Sequence, residues 1–236
     1  MVFVDEVHGL GKDCEEFLYG ALDEGLVSVI LRDGVRARPV RVRLEPFTLV
    51  AATTKLGALS EAFRSRFRLR ERLEPYGEED IAEVVVRAAA RLGTAASPEA
   101  AREVARRSRG TPREAIRILE RARDIAQLAM APGIELAHVG HAAERLGIDE
   151  RGLDRVEVAA LQLLLALGRP LGIEALAARL GVDLETFRSV HEPWLERSGF
   201  IERTDRGRAA TEEARKLYGA KAEAAAARGA RGPIAA

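Results

Sequence analysis

Two adjacent carboxylates, Asp5 and Glu6, end the short apolar run Met1 to Val4. A buried strand that delivers an acidic pair to its tip is one half of a nucleotide-hydrolysis site. The first carboxylate holds the Mg²⁺ that bridges the phosphates, and the second takes a proton from the attacking water. Alone the pair is a weak signal, because acidic pairs at strand tips are common. Further along, "FTLVAATT" reads as an apolar strand ending in Thr53 and Thr54. A hydroxyl at that tip, beside the first strand, orients water against a terminal phosphate; the plainer alternative is two threonines that favour β-structure. "LSEAFRSRFRLR" places Arg66 between a short helix and a strand, where an arginine can reach across a subunit boundary and neutralise transition-state charge. "RGTPREAIR" puts Arg113 in the first turn of a helix, against the helix dipole, which favours a ligand-facing role over a stabilising one.

The elements that position these residues fall into three blocks. Residues 1–76 read as α/β: strand 2–5, a helix over about 12–24, an extended pair 26–44, strand 47–52, then an apolar-polar alternation near 67–73. In the pair, "LVSVIL" and "VRVRL" flank the turn-rich "RDGVRARP". Val40, Val42 and Leu44 share one face opposite Arg41 and Arg43, and that face has no evident internal partner. An edge ribbon and a protruding docking arm are both open readings. Residues 77–148 are helical throughout. "SPEAAREVARRS" opens with Ser-Pro, and "TPREAIRILERARDIAQLA" opens with a capping box of Thr111, Pro112 and Glu114. The stretch "GIDERG", Gly147 to Gly152, reads as a linker. Residues 153–218 hold three short helices and two extended segments around an Asp205-Arg206-Gly207 turn. That is a winged helix, a helix-turn-helix variant that usually binds DNA and is otherwise used for protein contact. The low-complexity stretch 219–236 reads as a disordered tail.

Composition sets bounds on partners. The 236 residues carry 37 basic and 37 acidic side chains, so no global field draws in nucleic acid or a membrane, and any basic surface must be local. Only four of the basic residues are lysines (Lys12, Lys55, Lys216, Lys221), so an abundance of arginine is weak evidence for phosphate binding. One cysteine, Cys14, excludes an internal disulfide and a cysteine-cluster metal site, and fits a reducing, cytoplasmic setting. No apolar run reaches the length of roughly 18 residues that a membrane span needs. The histidines His8, His138, His141 and His191 are scattered, and the plain reading of each is a surface or capping residue.

"DEVH" alone also fits the DExH box of one helicase class, but that class lacks the later elements. The acidic tip, polar strand tip, Ser-Arg-Phe and helix-start arginine stand in the order and spacing of the AAA+ ATPases. The stretches "FVDEVHGL", "PFTLVAATTKLGALSEAFRSRFRLRERLEPY", "ARRSRGTPREAIRIL" and "HEPWLERSGFIERTDRGRAAT" resemble, more closely, the RuvB family of Holliday-junction branch-migration motors, over about residues 2–218. The fold so implied is a partial AAA+ α/β core, an all-α lid and a C-terminal winged helix. The function implied is ATP-dependent branch migration of Holliday junctions, with ATP and Mg²⁺ as cofactors, a homo-hexameric ring, and duplex DNA and RuvA as partners. By the same resemblance Asp5 and Glu6 are the Mg²⁺ and water-activating carboxylates, Thr53 or Thr54 the first sensor, Arg66 the finger given to a neighbouring subunit and Arg113 the second sensor. Tyr76 contacts adenine, and Asp23, Glu24 and Gly25 flank the nucleotide; for those three a solvated helix end is an equally plain reading. Val40, Val42 and Leu44 belong to the arm that grips RuvA, and Arg203, Arg206 and Arg208 hold DNA phosphates. "LYGAL" lacks a proline expected after Leu-Tyr, the basic hairpin carries Pro39, and Leu184 stands where an arginine could add a DNA contact.

No G-x-x-x-x-G-K-[ST] occurs in the sequence. "GLGKD" at 9–13 follows the Asp-Glu strand, lacks the spaced first glycine and has Asp13 in place of Ser or Thr, and an aspartate there repels phosphate. The resemblance therefore implies a chain shortened at its N-terminus that forms no complete nucleotide site. A non-catalytic DNA-binding or RuvA-binding fragment stands as the alternative to the motor.

Overall fold

The computed structural model describes the backbone of residues 1–33 and 36–229, and the side chains of all of these except 30–33, 36–37 and 221–229. Two compact units divide the chain, Met1–Leu73 and Glu74–Ala236. No helix among the described residues is long and apolar enough to cross a membrane.

The first unit contains strand β1 (Val2–Val4), helix α1 (Lys12–Asp23), strands β2 (Leu26–Asp33), β3 (Arg36–Arg43) and β4 (Leu49–Ala51), and the one-turn helix α2 (Glu61–Arg64). β1 and β4 run parallel, with Val2 opposite Leu49, Phe3 opposite Val50 and Val4 opposite Ala51. This pairing sets the tips of the two strands, Asp5-Glu6 and Thr53-Thr54, next to each other. The small core is Val7, Leu59 and Phe63, with Val4, Leu18, Leu22 and Phe67 against it. Val2, Phe3 and Val50 keep 46%, 60% and 41% of their surface exposed, although parallel sheets are normally covered on both faces. The first strand ends at Val4 rather than residue 5, because Glu6 turns into the left-handed region with φ 46°. No strand forms over 67–73. An alternating segment needs an open ladder to join, and none is paired to it; Leu69 and Leu73 lie exposed instead. The antiparallel pair β2–β3 runs further than the sequence suggests. Most of the turn-rich stretch is strand, with Ile30 opposite Pro39 and Asp33 opposite Arg36, while Gly34 and Val35 fall outside the described residues.

The second unit begins with four helices, α3 (Glu78–Arg91), α4 (Pro98–Arg107), α5 (Pro112–Leu128) and α6 (Leu136–Leu146). Their apolar stripes meet in one core of Ile81, Val85, Val104, Ile118, Leu119, Ile134 and Val139 among others. Ser97 caps α4 by accepting from the Ala100 N–H, with Pro98 in the first turn. The capping box expected at α5 is absent: Thr111 stands at the N-cap without a side-chain bond, and Glu114 pairs with Arg117 at 2.7 Å.

The stretch 147–152 is a built turn, not a slack linker. Ile148 is buried, Asp149 Oδ1 accepts from the N–H groups of Arg151 and Leu153, and Asp149 Oδ2 accepts from Tyr218 Oη at 2.6 Å. Gly152 lies at φ 78°, and a Cβ there would stand 2.8 Å from the Arg107 carbonyl oxygen, so only glycine fits.

The winged helix comprises α7 (Arg155–Leu167), α8 (Ile173–Leu180), α9 (Leu184–Thr186), α10 (Glu192–Arg197), strands β5 (Ile201–Thr204) and β6 (Gly207–Ala210), and α11 (Glu212–Gly229). A π-helical turn, Phe187–His191, joins α9 to α10. Pro193 explains it: its ring crowds the carbonyl four residues back, and a widened turn relieves that crowding. β5 and β6 pair with Thr204 opposite Gly207, leaving Asp205 and Arg206 at the tip, and Leu171 bridges to Arg208 at the wing's root. The stretch read as a disordered tail is helical as far as Gly229, since alanine is the strongest helix former. Residues 230–236 lie outside the described residues.

Gly152→Ala should lower the stability of the second unit by about 1–3 kcal/mol, because it adds both a φ penalty and a backbone clash. A urea melt of the purified chain, followed by far-ultraviolet circular dichroism, measures this.

Candidate functional site

β1 and β4 deliver four polar residues to one end of their parallel pair. Glu6 accepts from the Thr54 backbone N–H at 3.1 Å and from the Thr54 hydroxyl at 3.1 Å. His8 Nδ1 lies 3.0 Å from Thr53 Oγ1 and 3.1 Å from a Glu6 carboxylate oxygen. The Thr54 N–H is the main cause that holds the Glu6 carboxyl below its usual value. Asp5 accepts only from the N–H of Glu6 among the described contacts, which leaves its carboxylate exposed beside this cluster. The sequence thus brings Asp5, Glu6, Thr53 and Thr54 together; His8, read as a surface or capping residue, joins them.

Gly11 is the N-cap of α1, and Asp13 and Glu15 occupy its first turn, so "GLGKD" opens a helix with acids where a phosphate loop would present N–H groups to an anion. One stripe of α1 carries Glu15, Tyr19 and Asp23. Glu15, buried, accepts from Ser60 Oγ at 2.9 Å, and Ser60 caps α2. Arg66 follows α2. Its Nε and Nη2 donate to Asp23 at 3.0 Å and 2.6 Å, Nη1 donates to the Ala62 carbonyl, and its guanidinium stacks 4.1 Å from the Tyr19 ring centroid. The structure brings Asp23 onto Arg66, whereas Glu24 and Gly25 end α1 and lead into β2, with Gly25 O accepting from Leu44 N.

Val40 and Val42 of β3 stand opposite Val29 and Val27 of β2. The apolar face of the ribbon therefore has cross-strand neighbours, and Val27 is buried, while Val42 and Val29 stay partly exposed.

In the second unit, Tyr76 N donates to the Gly110 carbonyl at 2.9 Å, and its ring is exposed. Arg113 is exposed at the start of α5 and forms no ion pair among the described residues. The three wing arginines differ in their surroundings. Arg208, mostly buried, donates to Glu192 at 2.5 Å, and Glu192 has no exposed surface. Arg203 pairs with Glu196 and lies 3.3 Å from Glu192. Arg206 alone stands at the exposed tip without an ion pair among the described residues. Two of the three arginines expected on phosphates are thus held by a buried carboxylate that needs cations.

A second ionic cluster went unread in the sequence. Arg109, in the left-handed region at φ 61°, forks onto Glu157 at 2.8 Å and 2.7 Å and donates from Nε to the Gly152 carbonyl at 2.8 Å. Asp154 and Glu157 form the capping box that opens α7. His191 is buried rather than a surface residue. Its Nδ1 lies 3.2 Å from an Asp154 carboxylate oxygen and 3.6 Å from one of Glu157. The Asp154 carboxylate first, then Glu157, pushes His191 up to about 9 against the burial that would lower it. The Asp-x-x-Glu spacing at 154–157 was the one local signal available in the sequence.

Residues 1–73 match the family model for the Holliday junction DNA helicase RuvB P-loop domain, residues 76–149 the RuvB AAA lid domain and residues 150–219 the RuvB C-terminal winged helix domain. Among curated relatives, the Holliday junction branch migration complex subunit RuvB of Prosthecochloris aestuarii is 44% identical over 222 residues, covering 93% of this chain and 65% of the relative. The RuvB subunit of Fervidobacterium nodosum is 41% identical over 221 residues, covering 93% and 64%. The chain thus spans a little under two thirds of the length of these relatives. The solved structure of the Thermotoga maritima RuvB Holliday junction branch migration motor superposes with a TM-score of 0.73 at 39% identity, covering 91% of this chain and 68% of that one.

Arg208→Ala should cost about 2–4 kcal/mol, because it leaves a buried carboxylate short of a cation, whereas Arg206→Ala should stay within about 0.5 kcal/mol of the parent. Chemical denaturation of the two variants side by side checks the contrast.

Proposed function

Since the chain belongs to the RuvB family, we propose that it acts in ATP-dependent branch migration of Holliday junctions, as part of a hexameric motor that works with RuvA on duplex DNA. The observation that supports this reading best is the junction of β1 and β4, where Asp5, Glu6, Thr53 and Thr54 converge at one end of a parallel pair. ATP with Mg²⁺ would supply the phosphoanhydride and the bridging charge. Asp5, exposed and unpaired with any cation among the described residues, suits a Mg²⁺ ligand. Glu6 is ionised and turned onto Thr54, so it must leave that partner before it can take a proton from water. Arg66 must likewise exchange Asp23 for a phosphate if it is to serve a neighbouring subunit. Tyr76 and Arg113, exposed on the lid, are the residues we assign to adenine and to the terminal phosphate. Val40, Val42 and Leu44 are assigned to RuvA.

The residues present fit the metal and water side of a nucleotide site and not the phosphate side, since no G-x-x-x-x-G-K-[ST] stands in the sequence to supply N–H groups and a lysine. The alternative to the motor is a non-catalytic DNA-binding or RuvA-binding fragment. That is the second reading.

Steady-state assays on the purified chain should show no ATP turnover above background, with or without DNA. Turnover abolished by Glu6→Gln would establish a working site and overturn the second reading. Arg206→Ala should weaken duplex binding equally across sequences and lower the slope of log K against log salt by about one phosphate contact. Fluorescence anisotropy over a salt series measures it, and unchanged affinity would leave the winged helix a protein-contact role.

A further inference from the structure

The loop between α4 and α5 joins two neighbourhoods. Gly110 accepts from the Tyr76 N–H, and Arg113 opens α5 a few residues on. Arg109, immediately before Gly110, leaves the lid and enters the winged helix. There it meets four groups: the two carboxylate oxygens of buried Glu157, the carbonyl of Gly152, the Asp154 carboxylate at 3.8 Å, and the face of Trp194 at 5.6 Å from the ring centroid. Arg197 covers the same indole at 4.8 Å and donates to the Arg109 carbonyl at 3.2 Å. Trp194, Arg197 and His191 all belong to the segment 187–197 that follows α9. A guanidinium in a bidentate fork has one geometry, and neither charge can leave the other without being stranded in a buried site. A second tie runs beside it: Arg107 donates to the carbonyls of Ile148 and Asp149, and Asp149 accepts from Tyr218 of α11.

We infer that Arg109 is the keystone of an ionic latch that holds the helical lid and the winged helix as one rigid arm, so that a displacement at the start of α5 is delivered to helix 187–197. Arg109 is a positioning residue in this scheme and touches no substrate. The latch stands on the geometry alone; only its use in a motor rests on the function proposed above.

The groups that face His191 are Asp154 and Glu157 from α7, Arg109 from the lid, and on its own segment Glu192, which is itself neutralised by Arg208 and Arg203 of the wing. With His191 protonated, Arg109 and His191 balance Asp154 and Glu157. Deprotonation leaves one excess negative charge in the cluster. Because the folded value lies above the ordinary 6.5, the contribution of His191 is complete below 6.5 and is lost as the pH rises through about 9.

Spin labels at Glu120→Cys on α5 and Glu202→Cys on β5, in a Cys14→Ser background of the whole chain, report the lid-to-wing distance by double electron–electron resonance. The parent should give one narrow distribution at neutral pH. Arg109→Ala combined with Glu157→Gln removes both charges, and glutamine can keep the capping box, so the fold survives while the distribution broadens several-fold. Raising the pH to about 10 should broaden the parent but not His191→Gln. A broad distribution in the parent, or one that stays narrow in the double variant, overturns the latch. A pH response that persists in His191→Gln overturns the part assigned to that histidine.

Discussion

Two glutamates without exposed surface, Glu157 and Glu192, organise the second unit. A carboxylate taken out of water is tolerated only if cations and hydrogen bonds replace the solvent, and breaking such a pair costs more than the pair contributes in net stability. Glu157 gathers Arg109 from the lid and His191 from the winged helix, while Glu192 gathers Arg208 and Arg203 from the wing. The apolar cores of lid and winged helix can each form from their own residues; Glu157 ties the one to the other, and Glu192 ties the wing to α10. Their effect is on geometry more than on net stability, since one misplaced element would strand a charge.

The first unit is held differently. Its two sheets are each two strands wide, and its core rests on Val7, Leu59 and Phe63, so local hydrogen bonds take a larger share of the work of fixing side chains. Glu15 and Tyr19 fix Ser60, Ser60 caps the short helix before Arg66, and Asp23 and Tyr19 take up the guanidinium. One face of α1 thereby sets both the base and the tip of the segment that carries Arg66. The same logic operates at the strand tips, where the Thr54 N–H and hydroxyl define the direction of Glu6.

Local patterns in the sequence were enough for the helices of the lid, the Ser97-Pro98 start of α4 and the wing around Asp205 and Arg206, because each depends on neighbours within a few residues. The convergence of Asp5-Glu6 with Thr53-Thr54 was legible because both stand at the ends of apolar runs that must pair. Illegible features were those that need a distant partner. Arg109 and Glu157 are separated by 48 positions, and nothing near either one announces the other. Arg208 read as a phosphate contact because a wing arginine looks free until Glu192 is seen buried beneath it. The stretch 147–152 read as a linker because its glycines and charges resemble one, whereas Asp149 uses both oxygens to build a turn. The alternation at 67–73 failed for the opposite reason: its pattern is right for a strand, and no strand is there to receive it.

The π-helical turn Phe187–His191 changes how the helix around it can be used. An α-helix advances about 100° per residue, so inserting one extra residue rotates everything beyond it by that angle relative to what came before. Arg188, Ser189 and Val190 face solvent, while the next two residues, His191 and Glu192, are both buried. His191 then serves the cluster shared with the lid and Glu192 serves the wing. The irregular turn ahead of α10 thus lets a single element belong to two electrostatic neighbourhoods at once.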